Sequence, residues 1–282
     1  MADIYGSHFT YGGTLSSTYG IMIASVESER FTQVAGTIAG VTIFNKSGKR
    51  NYLIDDDYSG SPLSFDVDIV TDDGRTLSNS ECRAIEKWLF NRHRYRKLYV
   101  DHLDECGLAT EDYSAETIDG EEKRLYLNCR FINTFYLEYE GGIVGYRATL
   151  EADNGYWYQD AITKTIDVNN TSASATSTFT IDVDTDIDDY TYPRVTIKMD
   201  SAGGEVTLIN QTDNSARFTS FVDIAGGATV IIDSEYNYIN DQYYLKFSKQ
   251  NFPRLLDGPN NFTVIGAVKS ITFTYSNRRN LR

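Results

Sequence analysis

The chain has 282 residues, of which 41% are hydrophobic and 13% aromatic with 21 Tyr, a folded composition long enough for two separate cores or one large β domain. Its formal charge is −14, with 15 basic against 26 acidic residues in 1–160 and 11 against 14 in 161–282, so the first half carries most of the acidity and specific nucleic-acid binding is disfavoured on electrostatic grounds. Cys82, Cys106 and Cys129 are odd in number and lack C-x-x-C spacing, no apolar run approaches the ~18–20 residues of a membrane span, and the start at Met1 has no signal-peptide pattern; a disulfide framework, membrane insertion and a cleaved signal are not expected.

Over residues 9–44, β-prone stretches are interrupted by Gly12-Gly13, Gly20, Gly36 and Gly40, which predicts short strands joined by tight turns. Ile21, Ile23 and Ser25 alternate with Met22 and Ala24, apolar on both sides. Leu63, Phe65, Val67 and Ile69 alternate with Ser64, Asp66 and Asp68, which predicts a strand with one buried and one acidic face. One helix is predicted, over residues 79–93. Ser78 before it and Glu81 three residues later make a capping-box pattern, and Cys82, Ile85, Trp88 and Leu89 fall on one apolar face. The cations Arg92, His93, Arg94, Arg96 and Lys97 suit the negative end of the helix dipole.

A strand over residues 98–100 follows. The polar stretch 104–124 is expected to be a loop or exposed hairpin, and a strand begins with Leu125, Leu127 and Cys129. Residues 135–150 predict a hairpin around Gly141-Gly142, and Asn154-Gly155 is a turn signal. The Ser/Thr/Ala-rich stretch 169–177 is the candidate linker, with domains expected over 1–160 and 161–282. The second half has no helical pattern. Strands are expected around Val195, Ile197 and Met199, at Val206 and Leu208, and over residues 218–224, 230–233, 243–247, 262–265 and 271–275. Turns at Gly203-Gly204, Asp213-Asn214, Gly226-Gly227, Asn240-Asp241 and Asp257-Gly258 separate them. Many short strands with regular turns predict a β-sandwich.

Little in the sequence points to catalysis. The three histidines, His8, His93 and His102, sit in no nucleophile motif, and G-x-S-x-G, H-E-x-x-H and P-loop patterns are absent. A pair of carboxylates suited to glycoside hydrolysis is the remaining enzymatic possibility. His102, Cys106 and Cys129 invite a zinc reading, against which buried thiols and a surface histidine are favoured. The acidic run from Asp182 to Asp189 has Ile187 and Pro193 where an EF-hand loop requires Gly and Glu, so a water-facing acidic edge is favoured. For the basic cluster at 92–97, a helix end or subunit contact is favoured over nucleic acid. For Tyr156-Trp157-Tyr158, a domain-junction cluster is favoured over a sugar-stacking platform. No catalytic, cofactor-binding or metal-ligating residue is assigned.

Several segments in order resemble the distal tail proteins of siphophages. They are Leu15-Ser16-Ser17-Thr18-Tyr19-Gly20-Ile21, Pro62-Leu63-Ser64-Phe65-Asp66-Val67-Asp68-Ile69, the helix ending in Trp88-Leu89, and Lys97-Leu98-Tyr99-Val100-Asp101. Near the end come Phe252-Pro253-Arg254-Leu255-Leu256-Asp257-Gly258-Pro259-Asn260-Asn261-Phe262 and Phe273-Thr274-Tyr275-Ser276-Asn277-Arg278-Arg279. The resemblance implies a mainly β protein, with an N-terminal β-barrel domain carrying one helix and a C-terminal galectin-like β-sandwich outside the ring. It implies a structural hub at the distal end of the virion tail, made in the host cytoplasm, without enzymatic activity or cofactor. Copies would form a homo-hexameric ring linking the tail tube protein to the tail-associated fibre or lysin protein and letting DNA pass, with receptor-binding proteins and the tape measure as further candidate partners. The alternative is a lectin-like adhesin for cell-wall glycans. Both tryptophans and all three histidines precede residue 161, so the second half lacks residues a galectin uses to hold sugar, and no direct host-sugar binding is expected.

Overall fold

The computed structural model describes residues 6–24, 39–44, 51–57, 64–90, 94–100, 115–118 and 120–279. The chain divides into two compact units, residues 1–159 with 279–282 and residues 160–278.

The first unit contains β1 (Gly6–Ser7), β2 (Phe9–Tyr11), β3 (Thr14–Leu15), β4 (Ile21–Ala24), β5 (Ala39–Phe44), β6 (Asn51–Asp57), β7 (Ser64–Thr71), the helix α1 (Asn79–Leu89), β8 (Arg96–Val100), β9 (Ala115–Ile118), β10 (Glu121–Tyr139), β11 (Gly142–Ala152) and β12 (Trp157–Gln159). The main sheet runs β1-β4-β7-β11-β10-β8-β2-β3, with β5 and β6 paired separately. The mainly β architecture with one helix is as expected. Among the described residues, however, the sheet path does not close into a barrel, because it ends in the two-residue strands β1 and β3 with no ladder between them.

The alternation read from β7 is present. Val67 and Ile69 pack into the core while Asp66 is exposed; Leu63 and the Phe65 side chain lie outside the described residues. Helix α1 begins with the predicted capping box. Glu81 N–H donates to Ser78 Oγ (3.4 Å) and Ser78 N–H to Glu81 Oε2 (2.8 Å), which satisfies two of the amides left unpaired at a helix start. It ends at Leu89, earlier than the 79–93 expectation, with residues 91–93 outside the described set. Cys82, Ile85, Trp88 and Leu89 are buried against the inner face of the sheet with Phe9, Tyr11, Leu98, Leu127, Phe131 and Tyr146. Trp88 is the pivot of this core. Its ring stacks on Phe9 and Tyr19, and its indole N–H donates to the Tyr11 carbonyl (3.0 Å).

The second unit contains β13 (Ile162–Asp167), β14 (Thr176–Val183), β15 (Arg194–Met199), β16 (Gly204–Asn210), β17 (Phe218–Ile224), β18 (Thr229–Asp233), β19 (Tyr238–Ile239), β20 (Phe247–Gln250), β21 (Gly258–Gly266) and β22 (Val268–Tyr275). They form two antiparallel five-stranded sheets, ordered β13-β22-β15-β18-β19 and β14-β21-β16-β17-β20. Phe273 of one sheet meets Phe179 and Phe262 of the other at ring-centroid distances of 5.9 and 4.9 Å. Val195, Ile197, Val206, Leu208, Val264 and Ile271 fill the space around them, so the unit is the predicted β-sandwich, with inward positions alternating along each strand.

Two expectations fail in this unit. Residues 169–177 are not a linker; they turn between β13 and β14 and are tied down. Asn169 N–H bonds the Lys269 carbonyl (3.0 Å), and the Asn170 side chain accepts from Ser177 Oγ (2.7 Å). Residues 243–247 are not a strand. A 3₁₀ turn occupies Asp241–Lys246, with Tyr243 N–H bonded to the Asn240 carbonyl (2.9 Å), and only Phe247 enters a strand. Tyr243 and Phe247 are buried while Leu245 is 94% exposed, so the apparent apolar alternation has no common face.

Candidate assembly surface

Among the described residues of the first unit, the β10–β11 hairpin carries three of the large apolar side chains left exposed, Phe135, Tyr136 and Tyr139. β10 pairs in turn with β9, β12 and β8, the last at Leu127 to Cys129. Among the described residues, its remainder, residues 130–139, is laddered to β11 alone. The strands join through Glu140 and Gly141, at φ 48° and 79°, a two-residue turn of the kind that matches strand twist. The turn comes one residue before the predicted Gly141-Gly142 because Gly142 already belongs to β11. Its backbone lies so close to Thr76 that a Cβ would sit 2.4 Å from Thr76 Cγ2.

A β-bulge decides which side chains this hairpin exposes. Asn133 has φ 50°, and the register jumps from Ile132 opposite Thr149 to Phe135 opposite Arg147. An extra residue on one strand exchanges its two faces beyond that point. Before the bulge Leu127, Cys129 and Phe131 point into the core. After it Tyr136, 53% exposed, lies opposite Tyr146, and its hydroxyl donates to Glu86 Oε1 of α1 (2.8 Å); a second register shift falls between Leu137 and Glu138. Phe135 and Tyr139 are left 66% and 65% exposed. A groove of about 480 Å³ between hairpin and helix is lined by Glu86, Phe90, Thr134, Phe135, Tyr136 and Tyr146. The sequence reading placed the hairpin but not these exposed rings. The available signal was Phe135-Tyr136-Leu137-Glu138-Tyr139, which abandons the alternation of the preceding residues.

The acidic face of β7 is partly neutralised across the sheet. Arg147 donates twice to Asp68 (both 2.7 Å), and Thr149 Oγ1 donates to Asp66 (2.8 Å). Arg130 and the Tyr95 hydroxyl both donate to Glu151 (2.7 and 2.9 Å), which holds its carboxyl below the usual range, Arg130 contributing most. Glu138 and Glu140, by contrast, are exposed at the hairpin tip and have no ion-pair partner among the described residues.

The other candidate residues have structural employment. His8 Nδ1 lies 3.2 Å from Ser16 Oγ, but Ser16 is fully buried and its Oγ already accepts from Phe9 N–H (3.0 Å). Cys129 is buried in the core, and burial pushes its thiol up; His93, His102, Cys106 and Arg92 lie outside the described residues. Among the described residues no group of three or more His, Cys, Asp or Glu is placed to hold a metal. Tyr156 and Tyr158 pack edge to face, Tyr158 stacks on Tyr126, and Lys97 sits over the Tyr126 ring at 3.7 Å. Trp157 packs against the first core, so these rings are not an open platform. In the acidic run, Asp182, Asp184, Asp186 and Asp188 are exposed and alternate with buried Val183, Thr185 and Ile187, continuing from the edge strand β14 as a water-facing comb.

The Phe252-to-Phe262 motif pins the sandwich. Arg254 donates to both Asp213 oxygens (2.8 and 2.9 Å) and lies 3.6 Å over the Tyr190 ring. The buried Asn260 side chain accepts from Leu256 N–H and Asn210 Nδ2, and donates to the Leu256 and Gly258 carbonyls.

No curated protein matches this sequence. Two family models do, a phage tail protein N-terminal domain over residues 4–154 and a phage tail C-terminal domain over residues 162–275. Among solved structures, the phage SPP1 Dit protein, titled a paradigm of hub adsorption apparatus in phages infecting Gram-positive bacteria, is 10% identical. The match covers 96% of this chain and 99% of that one at TM-score 0.64. A chain of the phage P2 baseplate, solved in its activated conformation with Ca, is 8% identical, with 97% and 98% covered at TM-score 0.52. The fold is therefore that of the distal tail proteins the sequence resembles, and the family is one of structural tail proteins rather than enzymes. With its two matched domains in order along the chain, this protein belongs to the phage tail protein family.

Proposed function

We propose that this protein is a hub at the distal end of a phage tail, forming a hexameric ring that joins the tail tube to the fibre or lysin protein below and carries receptor-binding proteins. The observation that carries the reading is a likeness to a tail hub protein that runs through both units, over 96% of this chain and 99% of the other. A ring requires head-to-tail contacts that close by rotation, and the exposed aromatic hairpin supplies one face of such a contact. The excess of 26 acidic over 15 basic residues in 1–160 suits a conduit for DNA, since binding by counterion release needs basic side chains.

Light scattering on the purified full chain, with negative-stain images of the same fraction, tests this. The expected result is a species of six times 31.8 kDa with annular particles. A monomer at all concentrations, together with tails that lack the protein from their tip, would overturn it.

A further inference from the structure

The groove between the β10–β11 hairpin and α1 holds a carboxylate with no cation against it. Glu86 is half-buried there, and its Oε1 accepts from the Tyr136 hydroxyl (2.8 Å). It has no ion-pair partner among the described residues. Arg83 and Lys87, its cationic neighbours on the helix, are exposed and form no ion pair with it. Arg147, opposite Phe135 in the ladder, is held by Asp68 (2.7 Å).

The rest of the lining is aromatic. Phe90, Phe135, Tyr136 and Tyr146 contribute rings, and Thr134 a hydroxyl. The Tyr146 ring lies 5.1 Å from Phe90 at 56° and 5.6 Å from Tyr136 at 46°. The Tyr146 hydroxyl donates to the Cys82 carbonyl (3.4 Å), as that of Tyr136 does to Glu86. Both polar ends are thus engaged on the helix, and ring surface is most of what the groove of about 480 Å³ offers.

Aromatic rings beside an unpaired carboxylate select a cation. An apolar side chain would fill the space but leave the Glu86 charge desolvated and uncompensated. A quaternary ammonium would use the rings and bring no N–H to the carboxylate. A primary ammonium brings N–H groups but is strongly hydrated and has no flat face to stack. A guanidinium does both: it is weakly hydrated, its faces stack on rings, and its N–H edge matches a carboxylate. We propose that this groove receives the guanidinium of an arginine side chain presented by another protein, its faces against the rings and its edge on Glu86. The site belongs to the folded chain and stands whether or not six copies close a ring.

Calorimetric titration of the full chain at ~0.1 M salt with a capped Gly-Arg-Gly peptide tests it. Saturable one-site binding is expected, with the citrulline and lysine counterparts of the peptide at least about tenfold weaker. Glu86→Gln keeps an acceptor for Tyr136 and removes the charge; it and Phe135→Ala should each weaken binding about tenfold. Glu138→Gln on the same hairpin should leave the affinity unchanged. No saturable binding, equal binding of the citrulline peptide, or undiminished affinity in Glu86→Gln would overturn the site. Tighter binding of tetramethylammonium or agmatine would assign it to a free small cation, and dissociation of self-associated chains by the arginine peptide, followed by light scattering, would assign it to a second copy. Either result would overturn the separate protein partner.

Discussion

Asp153 shows how one side chain's surroundings set its chemistry. It follows β11, accepts a hydrogen bond from the Asn128 side chain, and its own N–H donates to the Asn128 carbonyl (2.9 Å). Burial pushes its carboxyl up from the ordinary 3.8, against the pull of the Asn128 amide. Because the folded state favours the neutral acid, this group's stabilising contribution is fully present below the ordinary aspartate range and is lost as pH rises through the raised value. Asp153→Asn keeps an acceptor for Asn128 and removes the charge. Urea midpoints of the variant should therefore match wild type at pH 3 and exceed it at pH 7. Arg254 is the opposite case, a cation that holds a buried partner. Asp213 is only 6% exposed at its side chain and would keep only the longer contact to Arg217 (3.9 Å), so Arg254→Met should cost about 1–3 kcal/mol through the loss of two charge-assisted hydrogen bonds, measured as a drop in the unfolding midpoint. Neither role was visible in the sequence. The Arg254 motif was legible as a resemblance, whereas its partners Asp213 and Tyr190 lie 41 and 64 positions away.

Helix α1 and strand β7 were legible because each follows a single period against one apolar surface. The capping box adds an electrostatic handle. Arg75, and then Ser78, hold the Glu81 carboxyl down to about 2. Stabilisation from this group is thus present above the ordinary carboxylate range and disappears as pH falls from about 4.5 toward 2. Helical content followed by circular dichroism should respond to acid over that window in wild type, and less so in Glu81→Gln. The hairpin was only half legible. Its existence follows from β-prone runs flanking glycines, but the exchange of its faces depends on the bulge at Asn133. Gly141 adopts φ 79°, a conformation that costs a residue with a Cβ about 1–2 kcal/mol. Gly141→Ala should lower the unfolding midpoint accordingly.

At the scale of the whole molecule, net charge is the property that acts at long range. With −14 on the chain, the full protein should not retain double-stranded DNA in a gel-shift assay at ~0.1 M salt, since affinity there depends on displaced counterions. Retention would contradict the proposed role as a conduit. Composition, charge, the β7 alternation, the capped helix and the second-half turns were determined by the sequence alone, because local propensity and a single apolar period decide them without long-range partners. The order of strands in the three larger sheets was decided only in the tertiary structure. So were the open path of the first, the tying down of residues 169–177, the 3₁₀ turn at Asp241–Lys246 and the exposure of Phe135 and Tyr139. Each depends on which distant backbone or side chain satisfies a hydrogen bond or fills a space, and a one-residue slip in register is enough to move an aromatic ring from core to solvent.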